Sequence, residues 1–426
     1  MGNPSLKKNL STAVLIIGGG LSGLSLAGVL ANRGISAVVV DRDDPQKQLL
    51  EKYDGRTTAI SYASHKVLET AGVWKKILPH CCPILDIRVA DGASPLFLHF
   101  DSAEDAKGNP FGWIIENQLL RRALFENIKK HKKLVRHLAP AEIKEFFREE
   151  TCAGVILKDG TKISAALLVG ADGRNSAVRE WLGIETAGHE YGQSAIVCNV
   201  EHEIDHENAA VEHFLPAGPF AVLPMTKSDE GKYRSSVVWT VEGKDAEKKL
   251  RLPPKEFDRA LQKLFGPHLG KVHHVSKPMA YPLRLMHAKS YAGPRTLLIA
   301  EAAHVIHPIA GQGLNVSMRD IAVLAELVAD HLKLGLDIGS ASILEKYEQW
   351  RRPDTLTMAA FTEVINGLFS NPSQTLGLAR DTGLGIVQKI PPLKRFFATQ
   401  AMGLGGKLPR GLGGKLPRGL GGKLPQ

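Results

Sequence analysis

A glycine-rich turn between an apolar strand and a helix constrains this chain more than any other segment. The residues Gly18-Gly-Gly-Leu-Ser-Gly23 follow the β-branched run Ala13–Ile17 and open a helical stretch, Leu21–Asn32, that contains several small residues. This order predicts a strand, a tight turn and a helix packed closely on a sheet. Backbone N–H groups at the start of such a helix bind phosphate, so the segment predicts a dinucleotide site.

A second apolar run ends at an acidic residue. Ser36–Val40 is predicted to be a strand, and Asp41 follows it, about 20 residues beyond the glycines, where a carboxylate is expected to bind a ribose hydroxyl. The uncharged stretch from Ser11 to Asn32 is also long enough for a membrane span or a signal peptide. The three consecutive glycines in its middle, and the strand and acid that follow, favour the nucleotide interpretation.

Another glycine segment lies in the middle of the chain, after a predicted hairpin. The hairpin combines the strand Val155–Leu157 with a turn at Asp159-Gly160 and a returning strand. The strand Leu167–Val169 then leads into Gly170-Ala-Asp-Gly173, at the strand end where open α/β sheets bind ligands. The alternative is that Asp172 only bonds local backbone and caps the next helix, since Asp-Gly is a common turn.

A third glycine segment follows the strand Thr296–Ile299. Glu301 comes soon after this strand, and beyond Pro308 the loop Gly311-Gln-Gly-Leu-Asn315 opens a helix predicted from about Val316 to His331. A helix N-terminus stabilises negative charge on a nearby group by roughly 0.3 to 2 kcal/mol. The three segments together predict one long cofactor that is held at several points.

In this order and at these separations, the three segments resemble the FAD-binding motifs of aromatic-ring hydroxylases of the p-hydroxybenzoate hydroxylase type. The strings His307–Asn315, Arg56–Ser61 and Tyr347–Asp354 resemble the ubiquinone-biosynthesis hydroxylases in particular, and the likeness extends from Ala13 to Met402. It implies an α/β fold with a Rossmann-like FAD-binding domain, an interleaved β-rich substrate domain and C-terminal helices. It also implies FAD as cofactor and NADH or NADPH as a transient electron donor.

The resemblance assigns the adenosine half of the cofactor to the first two segments. Gly18, Gly20 and Gly23 match glycines that hold the diphosphate, and Asp41 matches the acid on the adenosine ribose. Asp172 lies in the family's middle motif, which is linked to FAD and to pyridine-nucleotide binding.

The flavin half is assigned to residues from all parts of the chain. Arg56 matches an arginine near the flavin, Gln118 a polar contact to the ribityl-phosphate stretch, and Glu301 an aspartate on the ribityl chain. The loop that faces flavin and substrate contains Pro308, the one candidate for a catalytic position. Residues near the pyrimidine edge of the ring are Gly313, Leu314 and Asn315.

One departure from the family pattern concerns the third segment. The family usually has Gly-Asp where this chain has Ala300-Glu301. Glutamate keeps the charge and is one methylene longer, so we expect it to reach a ribityl hydroxyl after a small shift. FAD affinity is the property that this departure puts in question.

The length of 426 residues exceeds one ordinary core. The resemblance implies an FAD-binding domain from residues 10–75, 100–182 and 285–345, and a substrate domain from 76–99 and 183–284. A C-terminal helical segment, 346–402, and a flexible basic tail, 403–426, complete the chain. Strand-like runs at Ser194–Val200, Ala221–Leu223 and Ser236–Val241 support the β-rich insertion.

The inserted sheet supplies the candidates for substrate contact. An apolar wall that faces Pro308 across the flavin would suit a polyprenyl phenol, and Trp239 is favoured as a core residue instead. No general base stands out in the sequence. The substrate-pocket candidates are Phe214, Phe220, Leu223 and Pro224.

The charge of the chain is concentrated near its C-terminus. The formal net charge is +10, but eight of the 54 basic residues and none of the 44 acidic ones lie from Lys389 onward. The remainder has a net charge of only +2, so no nucleic-acid partner is expected. The tail repeats the unit Gly403-Leu-Gly-Gly-Lys-Leu-Pro-Arg410, and its Gly and Pro content predicts mobility beyond about Gly403.

The tail allows two interpretations. It is either a duplicated terminal unit without function, or a basic segment attracted to an anionic membrane surface, with apolar contacts from Leu393, Phe396 and Phe397. The expected location is cytoplasmic, with peripheral contact to the inner face of the membrane as the functional alternative. Four cysteines without a Cys-x-x-Cys pair predict a reduced protein. His304 and His307 have no neighbouring thiolates or carboxylate cluster, so no metal site is expected.

The chemistry that the resemblance implies is ring hydroxylation. NAD(P)H reduces FAD, O₂ reacts with the reduced flavin, and the flavin C4a-hydroperoxide hydroxylates a polyprenylated phenol of ubiquinone biosynthesis. The cofactor performs the difficult step, so the protein needs no catalytic triad. Two alternatives remain at this stage: a hydroxylase of a soluble phenol, and a non-enzymatic flavin-binding scaffold within a quinone-synthesis complex.

Overall fold

The computed structural model describes residues 9–50, 55–92, 97–369 and 387–412. Its strands, in chain order, are β1 (Asn9–Ile17), β2 (Ala37–Val40), β3 (Thr57–Ser61), β4 (Cys82–Ile84), β5 (Asp86–Asp91), β6 (Phe97–Asp101), β7 (Gly112–Glu116), β8 (Val135–Leu138), β9 (Ile143–Arg148), β10 (Ala153–Leu157), β11 (Lys162–Gly170), β12 (Thr186–His202), β13 (Ala209–Leu215), β14 (Gly218–Met225), β15 (Tyr233–Glu242), β16 (Val272–His274), β17 (Met279–Ala288), β18 (Ala292–Gly293), β19 (Thr296–Leu298) and β20 (His304–Val305).

Its helices are α1 (Leu21–Asn32), α2 (Pro45–Leu50), α3 (Tyr62–Thr70), α4 (Trp74–Ile77), α5 (Ser102–Asp105), α6 (Asn117–Lys130), α7 (Ala177–Trp181), α8 (Gly243–Leu250), α9 (Pro254–Phe265), α10 (Gln312–Lys333), α11 (Ala341–Phe369) and α12 (Pro391–Ala401). Short 3₁₀ turns lie at Leu78–His80, Ala300–Ala302, Ile309–Gly311 and Arg410–Leu412.

The first sheet carries the predicted cofactor motifs, and we call it the cofactor sheet. Strands β19, β11, β1, β2 and β8 are parallel neighbours in that order. The short antiparallel β18 pairs with β19, and the predicted hairpin is present as β10 and β11, with β9 pairing outward. The core strands β1 and β2 are rich in apolar, β-branched residues, and helix α1 packs on them and on helices α6 and α10, with nine of its twelve residues buried. The predicted Rossmann-like arrangement is confirmed.

The second sheet, which we call the substrate sheet, is almost entirely antiparallel. Its order is β20-β17-β12-β15-β14-β13-β5-β6, and only β13 and β5 are paired in parallel. Helix α9 covers the outer face of this sheet with Phe257, Leu261 and Phe265, which pack against Phe220 and Trp239. The opposite, inner face is left for the candidate site.

A small third sheet, β3-β7-β4, lies beside helix α10. Helix α10 begins at Gln312, inside the glycine loop, rather than at the predicted Val316. Most strands of the cofactor and substrate sheets fall in the ranges that the sequence predicts for the two domains. In the substrate sheet, β6 and β17 extend past the predicted boundaries, and His304–Val305 of the predicted cofactor domain pairs with β17. The two domains are therefore interwoven at this loop, and the domain boundaries themselves stay a prediction.

The C-terminal segment differs from the sequence-based expectation. Residues 403–412 are packed on the fold, because Leu404, Leu408 and Leu412 contact the main core and the last is only 2 % exposed. The backbone N–H of Arg410 donates to Glu326 at 2.7 Å. The prediction of mobility from Gly403 is wrong for this stretch, because leucines spaced four apart bury surface in spite of the glycines. The rest of the predicted tail, residues 413–426, lies outside the described residues.

Candidate active site

The three glycine segments meet at one edge of the cofactor sheet. The register places the last residues of four adjacent strands side by side, namely Leu298, Gly170, Ile17 and Val40. Each predicted motif starts within three residues of one of these ends. The carboxyl edge of a parallel sheet is where α/β proteins bind ligands, so topology brings together segments that are far apart in sequence.

The close approach of backbone at Gly18 explains why a glycine is needed there. Gly18 has a φ of 107°, and a Cβ at this position would lie 2.3 Å from the carbonyl oxygen of Ala171. A Cβ at Gly23 would lie 1.9 Å from the Gly18 carbonyl oxygen. Gly18 therefore allows the first glycine segment to pack against the middle one, and Gly23 allows helix α1 to pack against the turn before it.

Gly20 stands apart from the other two glycines. It is the N-cap of α1, no side chain caps that helix, and no heavy atom lies within 4 Å of the place where its Cβ would be. The positive end of a twelve-residue helix thus faces open space. Asp41, at the end of β2, borders the same turn, because its carboxylate accepts the Gly19 N–H at 2.5 Å.

Asp172 holds the start of helix α7. Its carboxylate accepts the Ser176 hydroxyl at 2.6 Å and the Val178 N–H at 3.2 Å. Burial raises the pKa of Asp172, against the opposing effect of these hydrogen bonds. Asp172 therefore bonds local groups at the start of the next helix, which is the alternative that the sequence left open. A contact of Asp172 with the cofactor stays a prediction.

The Ala300-Glu301 pair sits at the end of β19. Ala300 is in the left-handed region, with a φ of 55°, which glycine adopts without cost and alanine does not. Glu301 is about half exposed, with its carboxylate 3.9 Å from the Arg174 Nε. Both charged side chains line the large cavity described below.

The loop before α10 is tied to the third sheet through Asn315. Its side-chain oxygen accepts the Ser61 N–H at 2.9 Å, and its amide donates to the Ala59 carbonyl at 3.0 Å. Gly311, the N-cap, has a φ of 63° and no side chain caps this 22-residue helix. A Cβ on Gly313 would meet no heavy atom within 4 Å. The loop thus presents backbone and an uncapped helix N-terminus to the cavity.

A cavity of about 790 Å³ connects this loop with the inner face of the substrate sheet. Gly313, Leu314, Asn315, Pro308, Arg56, Arg174 and Glu301 border it on the side of the cofactor motifs. Its remaining wall is mostly apolar and includes Val89, Phe100, Ala221, Val238, Phe361 and Phe397. The dimensions and polarity suit a flat, largely apolar molecule that enters beside a cofactor.

Two of the four predicted pocket residues face this cavity. Phe214 and Leu223 line it, whereas Phe220 packs at 1 % exposure against Phe265 on the outer face of the sheet. Pro224 is not among the lining residues. The assignment of Phe220 and Pro224 to the pocket is wrong, because neighbouring positions on a strand point to opposite faces, and both lie out of phase with Leu223. Trp239 lies in the core, as favoured from the sequence.

Arg56 and Gln118 differ in their placement. The Arg56 guanidinium lies 5.9 Å from the centre of the Tyr281 ring, and both residues line the cavity. Gln118 donates to the Leu49 carbonyl at 3.1 Å and lies outside the lining, although its neighbour Asn117 belongs to it. A contact of Gln118 with the ribityl-phosphate stretch stays a prediction.

Sequence reasoning missed several residues that complete the cavity. Glu212 on β13 and Tyr281 and Arg284 on β17 line it from the substrate sheet. Phe361 of α11 and Phe397 of α12 close it from the C-terminal helices, with ring centres 6.0 Å apart. In the sequence, only the two-residue alternation of a strand could have indicated that Glu212 lies on the same face as Phe214.

The two histidines of the third segment are not arranged as metal ligands. His304 Nε2 pairs with Asp320 at 2.7 Å in the protein core. His307 is fully buried, and that burial lowers its pKa to about 4. Among the described residues, no group of three or more potential ligands is placed to hold a metal ion.

The comparison with known families agrees with the geometry. A family profile described as an FAD binding domain matches residues 11–362, which is most of the chain and contains all three glycine segments. The chain belongs to this family. The prediction of an FAD-dependent aromatic-ring hydroxylase with a Rossmann-like cofactor domain is confirmed, with FAD as its cofactor.

Proteins with similar sequences align with nearly the whole chain. The chain is 47% identical over 402 residues to the ubiquinone hydroxylase UbiL of Rhodospirillum rubrum, covering 93% of this chain and 91% of the relative. It is 30% identical over 398 residues to the 3-demethoxyubiquinol 3-hydroxylase of Escherichia coli, covering 93% of this chain and all of that one. The fold resembles that of p-nitrophenol 4-monooxygenase PnpA from Pseudomonas putida, with a TM-score of 0.75 at 18% identity over 93% and 98% of the two chains.

The residues present fit an extended FAD molecule. Gly20 and Gly313 each leave room where a side chain would otherwise stand, and each lies at the uncapped N-terminus of a long helix. Those helix ends suit the diphosphate and a negatively charged flavin edge. Asp41 offers a carboxylate beside the first turn, and Arg174 and Glu301 offer charged groups where the cavity borders the cofactor motifs.

The stretch that could have been a membrane span is folded into the cofactor sheet. Residues 9–32 form β1, the glycine turn and α1. Within the residues that the structure describes, no helix combines the length and apolar character needed to cross a bilayer.

Proposed function

We propose that this protein hydroxylates the ring of a polyprenylated phenol in ubiquinone biosynthesis, with NADH or NADPH as electron donor and O₂ as co-substrate. The observation that carries the proposal is the mostly apolar cavity that joins the Pro308–Asn315 loop to the inner face of the substrate sheet. A phenol ring placed there lies next to the loop, and a prenyl chain finds an apolar wall. The ubiquinone hydroxylases named above are the relatives that this function fits.

FAD supplies the reduction of O₂ and the transfer of one oxygen atom to the ring when it is bound. The chain's own residues supply the environment for that chemistry. The uncapped N-terminus of α10 stabilises negative charge beside Gly313. Phe214, Leu223 and Phe361 exclude water and hold an aromatic ring by packing.

The direct test is product identification. The purified holoprotein is incubated with NADH or NADPH, ¹⁸O₂ and a panel of phenols that differ in the presence of a prenyl chain. We expect one ¹⁸O atom in a ring-hydroxylated prenyl phenol, and substrate-stimulated consumption of the nicotinamide. Turnover of soluble phenols alone would replace the proposal by the soluble-substrate alternative, and no stimulated consumption with any phenol would favour a scaffold.

We further propose that the mouth of the cavity rests on an anionic membrane surface, from which a prenyl substrate can enter. Val364 of α11 lines the cavity and is 68 % exposed, and Phe396 of α12 is 53 % exposed. Ile390 is exposed as well. Two exposed cations adjoin these apolar side chains in sequence: Lys389 precedes Ile390, and Arg395 precedes Phe396. Each such cation near an anionic leaflet contributes up to about 1 kcal/mol.

A vesicle experiment tests this surface. We expect the wild type to co-sediment with phosphatidylglycerol vesicles, and the double variant Val364→Ser/Phe396→Ser to remain in the supernatant. Leu334→Ser is the matched control, because Leu334 is 73 % exposed at the end of α10. Equal loss of sedimentation in the control and the double variant would contradict the assignment.

A further inference from the structure

One carboxyl group stands in the apolar wall that the substrate sheet contributes to the cavity. Glu212 lies in the middle of β13, and its same-face neighbours two residues away, Ala210 and Phe214, line the cavity with it. Strand pairing sets Glu212 opposite Val89 of β5 on one side and Ala221 of β14 on the other. The same row across the sheet continues to Val238 and Val197.

Glu212 contributes a carboxyl group to the lining of the cavity. Among the described residues, no hydrogen bond or ion pair involves its side chain, and its remaining accessible surface borders the cavity. Burial raises the pKa of Glu212 to about 7 and is the sole cause of that shift. The carboxyl is therefore poised to exchange a proton near neutral pH.

The charged groups around Glu212 come from several elements. Asp91 lies on the same face of β5, two residues beyond Val89. The other charged residues that line the cavity are Arg56, Arg174, Arg284 and Glu301. None of the described groups shifts the proton affinity of Glu212 by its charge. A ligand that binds in the cavity would therefore be the group that changes this proton affinity.

A carboxyl that has no partner among the described residues weakens an otherwise apolar wall, and an apolar residue would complete this wall better. Valine or alanine fills the equivalent inward positions on the neighbouring strands, namely Val89, Ala221 and Val238. A hydrogen-bond acceptor at this position is explained if the molecule that binds in the cavity carries a hydrogen-bond donor. On the proposed function, the donor that the cavity receives is the hydroxyl group of a phenol.

We infer that Glu212 accepts a hydrogen bond, and then the proton, from the hydroxyl group of the phenol bound in the cavity. The O–H bond breaks, its electron pair stays on the phenol oxygen, and a carboxylate oxygen of Glu212 binds the proton. The resulting phenolate is a more electron-rich ring, and the contact fixes which ring edge faces the loop that contains Pro308. The carboxyl releases the proton to water when product leaves.

The inference rests on the proposed function and has a readout that precedes turnover. The probe is 2-prenylphenol, added anaerobically to the oxidised holoprotein so that no hydroxylation occurs. Phenolate absorbs at longer wavelength than phenol, so the ultraviolet difference spectrum reports proton transfer directly. We expect a phenolate band with wild type that grows as the pH rises through about 7, and no such band with Glu212→Gln.

Turnover supplies the second readout. We expect kcat/KM for the probe to fall about 100- to 10,000-fold in Glu212→Gln, as the loss of a proton acceptor does. Glu212→Asp keeps a carboxyl and is expected to restore part of the phenolate band. Glu145→Gln, at an exposed position of β9, is the matched control and is expected to behave as wild type.

The outcomes separate the two proposals. A phenolate band of equal size and pH dependence in wild type and Glu212→Gln, with equal kcat/KM, overturns the role of Glu212 while leaving the hydroxylase function intact. Absence of both hydroxylation and phenol binding in the wild type overturns the proposed function itself. If Glu212→Gln does not fold, Glu212→Ala is measured in its place: an unaltered band in that variant overturns the role, and loss of the band supports it.

Discussion

The carboxylate of Asp320 accepts a hydrogen bond from Arg351 Nε at 2.7 Å, with both side chains no more than 1 % exposed. The same carboxylate accepts His304 Nε2 at 2.7 Å and the Ala300 N–H at 2.9 Å. Burial alone would raise the pKa of Asp320, but His304 and Arg351 lower it to about 2. One ionised group thus joins helices α10 and α11 to the turn that presents Glu301.

Replacing Asp320 by asparagine is expected to lower the free energy of unfolding by about 3 to 5 kcal/mol, because Arg351 would be left buried without its counter-charge. Urea unfolding of the holoprotein measures this. Asp330→Asn is the matched control: Asp330 pairs with Arg410 at the surface, and such pairs contribute at most about 1 kcal/mol. Similar losses in the two variants would contradict a special role for the buried group.

Ala300 is expected to be a strained residue in the turn before Glu301. With its φ of 55°, alanine costs about 1 to 2 kcal/mol more than glycine, the residue that the resembled family usually has there. Ala302 is also buried in this turn but lacks a positive φ. We therefore expect Ala300→Gly to destabilise the protein by about 1 kcal/mol less than Ala302→Gly in thermal unfolding. The reverse order would show that the turn is not strained.

Local patterns made much of the fold predictable, and long-range register limited the rest. The unit from Ala13 to Asp41 is formed by consecutive residues, so strand, turn and helix could be derived directly. By contrast, Phe220 and Leu223 were both assigned to the pocket although an odd spacing of three on a strand places them on opposite faces. Glu212 was missed because its position becomes meaningful only when β13 is paired with β5 and β14. Nothing local indicated that Phe397 would close the cavity.

Substitutions of Gly20 and Gly18 are expected to impair different properties, FAD retention in the first case and thermal stability in the second. Gly20→Val adds a side chain in open space, so the protein should fold but retain little FAD, because the diphosphate's approach is blocked. Gly18→Ala would place a Cβ 2.3 Å from the Ala171 carbonyl at a positive φ, so it should lower thermal stability markedly. Flavin absorbance per protein and melting temperature measure the two effects. Full FAD content in Gly20→Val would refute the diphosphate site.

Leu412 tests whether the start of the repeat tail belongs to the fold. Its side chain is 2 % exposed in the main core, so Leu412→Ala is expected to lower the free energy of unfolding by about 2 to 4 kcal/mol. Leu334→Ala, at 73 % exposure, should change it by less than about 0.5 kcal/mol. Denaturant titrations of both variants decide the matter, and equal, small effects would restore the expectation of a mobile segment from Gly403.

The pH dependence of stability offers a check on Glu212 that needs no phenol. Its pKa is raised from 4.5 to about 7 in the folded state, so the folded protein binds this proton more tightly than the unfolded chain does. The resulting stabilisation is complete below about pH 4.5 and is lost as the pH rises through about 7, by at most roughly 3 kcal/mol. Glu212→Gln cannot lose a proton. Relative to the wild type, it should therefore gain stability across this interval in urea titrations at a series of pH values, whereas Glu145→Gln should run parallel to the wild type. Parallel curves for Glu212→Gln as well would mean that the carboxyl is solvated, and that its place in the cavity wall does not set its proton affinity.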